Sequence, residues 1–293
     1  MTLKRRNFLK TAGGFAAGLA IAPYACSSGN KTEVASTDSV VTKPFGLQLY
    51  SLRDDFPKDP KGVLAKVASY GYKQIESYEG PDGMFWGMTN KEFKAYIDEL
   101  GMNVVASHCD IDKDFERKAA EAAEIGMKYL ICPWRSQETL DGYKQAAADF
   151  NAKGETCKSN GIRFAYHNHA YSFTKLEGIY PQDIFMNETD PNLVDFEMDM
   201  YWVVTAGEDP VAWCKKQPGR YKLGHVKDRM ANTEEREATC TLGTGIIDYA
   251  SIAPAVKEAG MEYLIVEQER YDGTTPLKSV EDNAEFMKKL NLK

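Results

Sequence analysis

Two short motifs that would point to common functions are missing from this 293-residue sequence. The six cysteines form no Cys-x-x-Cys pair, which argues against a structural zinc knuckle or a dithiol redox site. No Gly-x-Gly-x-x-Gly turn, the motif that binds a dinucleotide pyrophosphate, is present either. Glycine and proline number only 23 and 12, so the composition is globular and not of low complexity.

Positive charge is also scarce. The chain has 36 lysine and arginine residues against 43 aspartate and glutamate residues, a formal net charge of −7. Because nucleic-acid binding depends on neutralising phosphates, we expect no nucleic-acid partner. Without clustered arginine or lysine residues, we expect no pocket for a phosphorylated ligand.

Acidic side chains are absent from residues 1–26. The string Arg-Arg-x-Phe-Leu-Lys at 5–10 precedes an apolar run, Thr11 to Ala25, that is too short to span a bilayer. This segment resembles a twin-arginine signal peptide and predicts export to the periplasm. Removal of its four basic residues takes the net charge from −7 to −11.

The segment after the signal is predicted to be a flexible tether. Residues 27–42 are mainly serine, threonine, glycine and charged residues with no periodicity. Cys26 leaves a lipid anchor open, although Pro23 and Tyr24 make a poor lipidation motif. Membrane contact is expected only through such a lipid.

Residues 43–293 repeat one local pattern: an amphipathic helix, a glycine, and a short apolar run. Glycine commonly ends helices in the left-handed conformation, and an apolar run directly after it is typical of a buried parallel strand. Helices are predicted from capping residues at Asn90–Leu100, Phe115–Ile125 and Tyr249–Ala259, with a last helix at Leu277–Leu290. The eight predicted strands are Phe45–Leu52, Gln74–Tyr78, Val104–His108, Tyr129–Pro133, Arg163–His167, Val194–Met200, Leu223–Lys227 and Leu264–Gln268.

Eight strand–helix units in one domain predict the α/β class and a single (β/α)8 TIM barrel. A doubly wound open sheet is the alternative, which the missing dinucleotide-binding turn disfavours. Active sites of such barrels lie at the carboxyl ends of the strands. All four histidines fall at these ends, together with three acidic residues: His108, His167, His169, His225, Glu76, Asp199 and Glu267.

This mixture of imidazole and carboxylate groups predicts a metal site. It suits one divalent ion of Mn, Zn, Co or Fe, whereas Ca²⁺ prefers oxygen ligands alone and Mg²⁺ is less favoured. Ligands from neighbouring strands would leave coordination positions open for a substrate.

Six stretches across the barrel carry a family resemblance: Phe-Gly-Leu-Gln-Leu-Tyr at 45–50, Tyr-His-Asn-His at 166–169, Glu-Met-Asp-Met-Tyr-Trp at 197–202, Gly-His-Val-Lys-Asp at 224–228, Gly-Thr-Gly-Ile-Ile-Asp at 243–248 and Val-Glu-Gln-Glu at 266–269. Together they resemble the sugar phosphate isomerase/epimerase family of xylose isomerase-like barrels. The resemblance implies metal ligands at Asp199, His225 and Glu267. The family's strand-five glutamate is replaced here by His167, with His169 as its rival for the fourth ligand.

The resemblance also implies chemistry on a carbohydrate by proton abstraction beside a carbonyl. Glu267 or His167 is expected to move the proton, in an isomerase or epimerase. Because His167 replaces one of the two glutamates of the family's symmetric proton exchange, a sugar dehydratase-like lyase or hydratase acting on a keto-glycoside is the alternative. Export and acidity favour a neutral substrate, a free sugar or keto-glycoside.

Further residues near the strand ends are expected to contact the substrate or to shape its site. Lys227 is expected to stabilise an enediolate oxygen or to pair with Asp228 or Glu269. The 243–245 turn is expected to be a tight turn, with a phosphate site as the alternative. The remaining expected substrate contacts, with core packing as the alternative for the two tryptophans, are His108, His169, Glu76, Gln48, Trp134 and Trp202.

Two other functions stay open at this point. A non-catalytic exported sugar-binding barrel would keep the fold without the reaction. An endonuclease on the same barrel would need more metal ligands and a basic groove, which the net charge disfavours. The oligomeric state is not indicated by the sequence.

Overall fold

The computed structural model describes residues 43–290, in which eight parallel strands form a closed barrel. The strands are β1 (Gly46–Gln48), β2 (Gln74–Tyr78), β3 (Asn103–His108), β4 (Tyr129–Cys132), β5 (Arg163–His167), β6 (Val194–Asp199), β7 (Tyr221–Val226) and β8 (Tyr263–Val266). β8 pairs back onto β1, with Ile265 beside Gly46 and Val266 beside Leu47. The predicted TIM barrel is confirmed. The expected signal peptide, tether and Cys26 lie outside the described residues.

Helices surround the barrel: α1 (Pro60–Tyr70), α2 (Asn90–Glu99), α3 (Phe115–Glu124), α4 (Leu140–Ser159), α5 (Pro181–Glu188), α6 (Met200–Thr205), α7 (Pro210–Lys216), α8 (Tyr249–Glu258) and α9 (Pro276–Lys289). Thr89 caps α2 in a reciprocal capping box with Glu92. Asp114 precedes α3 as predicted, but its side chain makes no capping bond. Within residues 43–290, no helix is long and apolar enough to cross a membrane.

The first predicted strand, Phe45–Leu52, is too long. β1 ends at Gln48, and Leu49–Leu52 form a 3₁₀ helix. The Gln48 side chain accepts a hydrogen bond from the Tyr50 amide at 3.0 Å, which caps this helix and turns the chain. Leu49 and Leu52 are both fully buried, so an apolar run that resembles a strand is here a buried turn of helix.

On three of the strands, β5, β7 and β8, the barrel interior changes from apolar to ionisable toward the carboxyl end. Tyr129 and Ile131 of β4 pack inside the barrel in a small apolar cluster, while Leu130 and Cys132 face the core beneath the helices. Other members of this inner cluster are Ala165, Leu223 and Ile265. Because side chains alternate along a strand, the next inward positions on β5, β7 and β8 are 167, 225 and 267. The apolar floor therefore lies directly beneath the expected site.

The loop after β7 is held by a buried carboxylate. Residues 228–229 pair with residues 239–240 in a short antiparallel ribbon. Asp228 accepts hydrogen bonds from the amides of Gly243 at 2.9 Å, Gly245 at 2.9 Å and Ile247 at 3.1 Å. Amides that could have bound a phosphate are thus occupied by the protein's own side chain. The turn at 243–245 is a tight turn, as expected.

We predict that Asp228→Asn lowers the free energy of unfolding by about 2 kcal/mol, because charged acceptors form the stronger hydrogen bonds. The matched control is Asp209→Asn. Asp209 caps α7 through the amides of Val211 and Ala212 at a solvent-exposed position, where asparagine is an equally good cap. Urea unfolding measures both variants. Equal losses in the two would contradict the role given to Asp228.

Candidate active site

The polar side chains at the barrel's carboxyl end form two layers, each built around a pair of buried carboxylates. We call Glu76 and Glu197 the lower carboxylates, and Asp199 and Glu267 the upper carboxylates. The side chains of the lower pair and of Asp199 are fully buried, and that of Glu267 is 6% exposed. Charges in such a place must be paired to be stable.

Three histidines contact the lower carboxylates. His108 Nε2 lies 2.7 Å from Glu197 Oε2 and 3.2 Å from Glu76 Oε1. His167 Nδ1 lies 2.9 Å from Glu197 Oε2. His225 Nε2 lies 2.7 Å from Glu76 Oε1 and 3.2 Å from Glu197 Oε2. Each imidazole is therefore oriented by a carboxylate beneath it.

The upper carboxylates face the opposite ring nitrogens of two of these histidines. His225 Nδ1 lies 2.9 Å from Glu267 Oε2 and 3.9 Å from Asp199 Oδ2. His167 Nε2 lies 3.8 Å from Asp199 Oδ2. The other oxygen of Asp199, Oδ1, accepts the Trp202 amide at 3.1 Å and caps α6, which fixes the carboxylate.

Lys227 is almost fully buried among three carboxylates. Its Nζ lies 3.1 Å from Asp199 Oδ2 and 2.9 Å from Glu267 Oε2, and it donates a hydrogen bond to Glu269 Oε1. Of the two ion-pair partners left open by the sequence, the structure has Glu269. Asp228 is engaged with its own loop.

Burial and charge shift the pKa values of His108 and His167 in opposite directions. Burial disfavours the charged form of His108, but the charge of Glu76 and a hydrogen bond with Glu197 outweigh it and raise its pKa to about 9. Burial and the neighbouring charges of His225 and His108 hold the pKa of His167 well below its usual range. His108 is therefore protonated at neutral pH, and His167 is neutral.

The pKa values of the carboxyl groups of Glu267 and Glu197 are also shifted in opposite directions. Burial raises the pKa of Glu267, but Lys227 and His225 outweigh it and hold that pKa well below its usual range. For Glu197, burial and the charge of Glu76 raise the pKa instead. Glu267 is thus an ionised carboxylate beside the cavity described next.

The main cavity at the barrel mouth has a volume of about 490 Å³. The predicted site residues that line it are His108, His167, His169, Glu267 and Trp134. Trp134 is 57% exposed, and its ring packs against His169 at a centroid distance of 4.5 Å. Trp202 is buried, lines two smaller cavities beside the mouth, and its Nε1 finds no partner among the described residues.

Gln48 and Glu76 were expected to bind substrate hydroxyls, and here the structure differs. Both side chains are fully buried beneath the main cavity. Gln48 Nε2 donates to Glu76 Oε1 at 2.7 Å, and the same oxygen contacts His225. Gln48 therefore holds Glu76 in place, and Glu76 Oε1 orients His225, while Glu76 Oε2 has no partner among the described residues.

Glu197 was not among the site residues predicted from the sequence, yet it contacts three histidines. A signal for it was present, because side chains alternate along a strand and Glu197 lies two residues before Asp199 on β6. An acidic residue at an inward barrel position needs buried partners. His169, by contrast, lies higher in the cavity, with Nδ1 unpartnered among the described residues.

Two overlapping groups of described residues have donor atoms close enough to hold a metal ion. One is His108, His167, Glu197 and His225, and the other is Asp199, His225 and Glu267, with donor atoms in each within 4.8 Å of one another. Around the upper carboxylates, the inner nitrogens of His225 and His167 are already bound by Glu76 and Glu197. Carboxylates orient metal-bound imidazoles in this way, so Asp199, His225 and Glu267 fit a divalent ion, and His167 Nε2 is a further nitrogen 3.8 Å from Asp199 Oδ2.

Comparison with known proteins agrees with this fold. A family model of the xylose isomerase-like TIM barrel matches residues 64–290. The chain belongs to that family. An inosose dehydratase from Clostridium beijerinckii is 27% identical to this chain over 200 residues, which cover 62% of this chain and 63% of the relative. The chain therefore spans less than two thirds of the length of this curated relative.

Two solved structures are also similar to this chain. A sugar phosphate isomerase/epimerase from Parabacteroides distasonis has a TM-score of 0.74 and 28% identity, and the match covers 87% of this chain and 96% of that one. An IolI protein with a bound zinc atom has a TM-score of 0.67 and 16% identity over 83% of this chain and 96% of that one. At that identity, the second match shows the fold alone.

The raised pKa of His108 predicts how stability depends on pH. An unfolded histidine titrates near pH 6.5, so the folded protein binds this proton more tightly. The stabilisation is complete below pH ~6.5 and is lost as the pH rises toward about 9. The free energy of unfolding of the metal-free protein should fall across this window, by roughly 3 kcal/mol from His108.

His108→Gln should flatten that fall. His169→Gln is the matched control and should keep it, since burial and the charge of Lys227 lower the pKa of His169 to about 3. Denaturant unfolding at several pH values provides the measurement. An unchanged slope in His108→Gln would refute the assignment.

Proposed function

We propose that this protein is a divalent-metal-dependent lyase of the dehydratase type, acting on a neutral polyhydroxylated ketone. One observation carries this proposal. An ionised carboxylate, Glu267, and a protonated imidazole, His108, line the same cavity. Groups whose surroundings drive their pKa values apart are suited to act as base and acid in one reaction.

The proposed metal ligands are Asp199, His225, Glu267 and the Nε2 atom of His167. Asp199, His225 and Glu267 are supported by donor atoms within 4.8 Å of one another, and His167 by its Nε2 atom, which lies 3.8 Å from Asp199 Oδ2. Carboxylates also fix the inner nitrogens of both histidines. When bound, a divalent ion would supply Lewis-acid polarisation of a substrate carbonyl. The nitrogen ligands favour a Zn- or Mn-like ion over Ca²⁺.

The protein's own groups would then move two protons. Glu267 contacts His225 and Lys227 through Oε2, which leaves Oε1 for the substrate. This oxygen takes the proton from the carbon beside the carbonyl, and the C–H electron pair forms an enolate. When the enolate re-forms its carbonyl, the C–O bond to the β-hydroxyl breaks. His108 gives its proton to that hydroxyl, which leaves as water.

The difference in pKa between Glu267 and His108 favours elimination over epimerisation. In an epimerase, the group that gives a proton in one direction must take one in the reverse, so the two groups need similar pKa values. Here the pKa of Glu267 is lowered while that of His108 is raised. An isomerase or epimerase is the second candidate, supported by the name of the Parabacteroides distasonis structures.

The charge of the main cavity supports a neutral substrate. Besides His108, its charged lining includes one lysine, Lys113, against four acidic residues: Glu79, Asp110, Glu267 and Glu269. A phosphate dianion would be repelled there unless locally compensated. The curated relatives are named inosose dehydratases, and inosose is a neutral polyhydroxylated ketone of the proposed kind.

The metal assignment predicts different outcomes for two aspartates of β6. Asp199→Asn should lose most of the bound metal, while retaining the cap on α6 through its amide oxygen. Asp195→Asn is the matched control, since Asp195 is buried on the same strand but pairs with Arg163. Metal content of the purified variants, determined by elemental mass spectrometry, provides the test. Full retention by Asp199→Asn would refute this ligand set.

The reaction assignment predicts that His108→Gln separates two steps. Loss of water from a neutral inosose or keto-sugar should slow by about 10²–10⁴-fold, the usual contribution of a general acid. Exchange of the α-proton with solvent deuterium should persist, because Glu267 remains. Glu267→Gln should abolish both. NMR in deuterated buffer follows exchange and water loss together.

Other outcomes identify the competing functions. Exchange with inversion and no water loss would mean an epimerase. Binding without any exchange would mean a non-catalytic sugar-binding barrel. Turnover of phosphorylated ketoses alone would refute the neutral substrate.

A further inference from the structure

The Lys227 ammonium occupies the oxygens that a metal ion would use. Its Nζ lies 3.1 Å from Asp199 Oδ2 and 2.9 Å from Glu267 Oε2. These are the same two oxygens that approach the ligand nitrogens of His225 and His167. Because metal–oxygen bonds are about 2.1 Å long, a metal ion between these oxygens would lie very close to the ammonium.

Two positive charges cannot share these oxygens in a buried place. Lys227 is 1% exposed, and the Asp199 side chain is fully buried, so water screens their surroundings poorly. A dication would cancel the charge of the two carboxylates, so the attraction that now holds the ammonium would be lost and the nearby ion would repel it. Metal binding therefore requires the Lys227 amine to move away from the upper carboxylates.

Glu269 offers the amine another position. Its Oε1 already accepts a hydrogen bond from Lys227 Nζ, and its side chain is 30% exposed. Glu269 also lines the main cavity and the two smaller cavities beside the mouth. A rotation of the flexible lysine chain toward Glu269 would keep one ion pair and bring the ammonium nearer the substrate.

We propose that Lys227 acts as an internal counter-ion that competes with the metal. In the metal-free protein it keeps Asp199 and Glu267 together, and metal binding drives it onto Glu269. Lys227 thereby weakens metal binding, and in the loaded protein its ammonium faces the cavity. This inference rests on the metal site of the proposed function.

Lys227→Met tests the inference, because methionine keeps much of the length of the side chain and removes its charge. We expect it to bind Zn²⁺ or Mn²⁺ about tenfold or more tightly than the wild type, since a repelled charge is gone. Lys118→Met is the matched control. Lys118 is also buried and bonds Glu79 at 2.6 Å, away from the upper carboxylates, so its loss should leave metal affinity unchanged.

Glu269→Gln provides a second variant in case Lys227→Met folds poorly. It removes the negative charge that would receive the displaced amine, so metal should bind several-fold more weakly than in the wild type. The double variant Lys227→Met/Glu269→Gln should regain the tight binding of Lys227→Met. Titration calorimetry on the purified metal-free protein gives the affinities, and unfolding curves confirm that each variant is folded.

The outcomes separate this inference from the proposed function. Equal or weaker binding by Lys227→Met, with clear binding by the wild type, would overturn the counter-ion role and leave the metal site standing. Absence of binding in the wild type and in every variant would overturn both. Binding by Lys227→Met alone would support the counter-ion role most directly.

Discussion

His225 connects the two pairs of buried carboxylates, and the rest of the site depends on that connection. Its Nε2 contacts Glu76 while its Nδ1 contacts Glu267, so one ring spans both layers. Four carboxylates concentrated in a barrel mouth would repel each other without such a group. The histidines and Lys227 supply the opposing charge, and the apolar floor beneath them keeps these interactions strong.

The fold was largely predictable because its signals are local. Apolar runs after helix-ending glycines located the strands, and Gly71, Gly101, Gly126, Gly161 and Gly260 all have the positive φ that this pattern requires. The boundary of β1 was not predictable in the same way. It depends on a hydrogen bond from the Tyr50 amide to the Gln48 side chain, whereas the apolar pattern continues unchanged to Leu52.

Most residues of the candidate site could be predicted from the sequence, but their division into an upper and a lower layer could not. The carboxyl ends of the strands brought the histidines together as expected. However, whether a polar residue faces the cavity or lies beneath it depends on how far along the strand it sits and on what the neighbouring strands place opposite. Glu76, expected to bind substrate, and Glu197, not expected at all, both lie in the lower layer for this reason.

The Asp228 turn also bears on how this barrel could change during evolution. Its carboxylate occupies three amides at a corner where related folds can bind phosphate. Substituting Asp228 alone would free those amides but would also destabilise the loop that they hold. A lineage adapting to phosphorylated substrates would have to acquire a replacement anchor first. Phosphate binding at this corner and anchoring of the loop are thus coupled, because both would depend on the same amides.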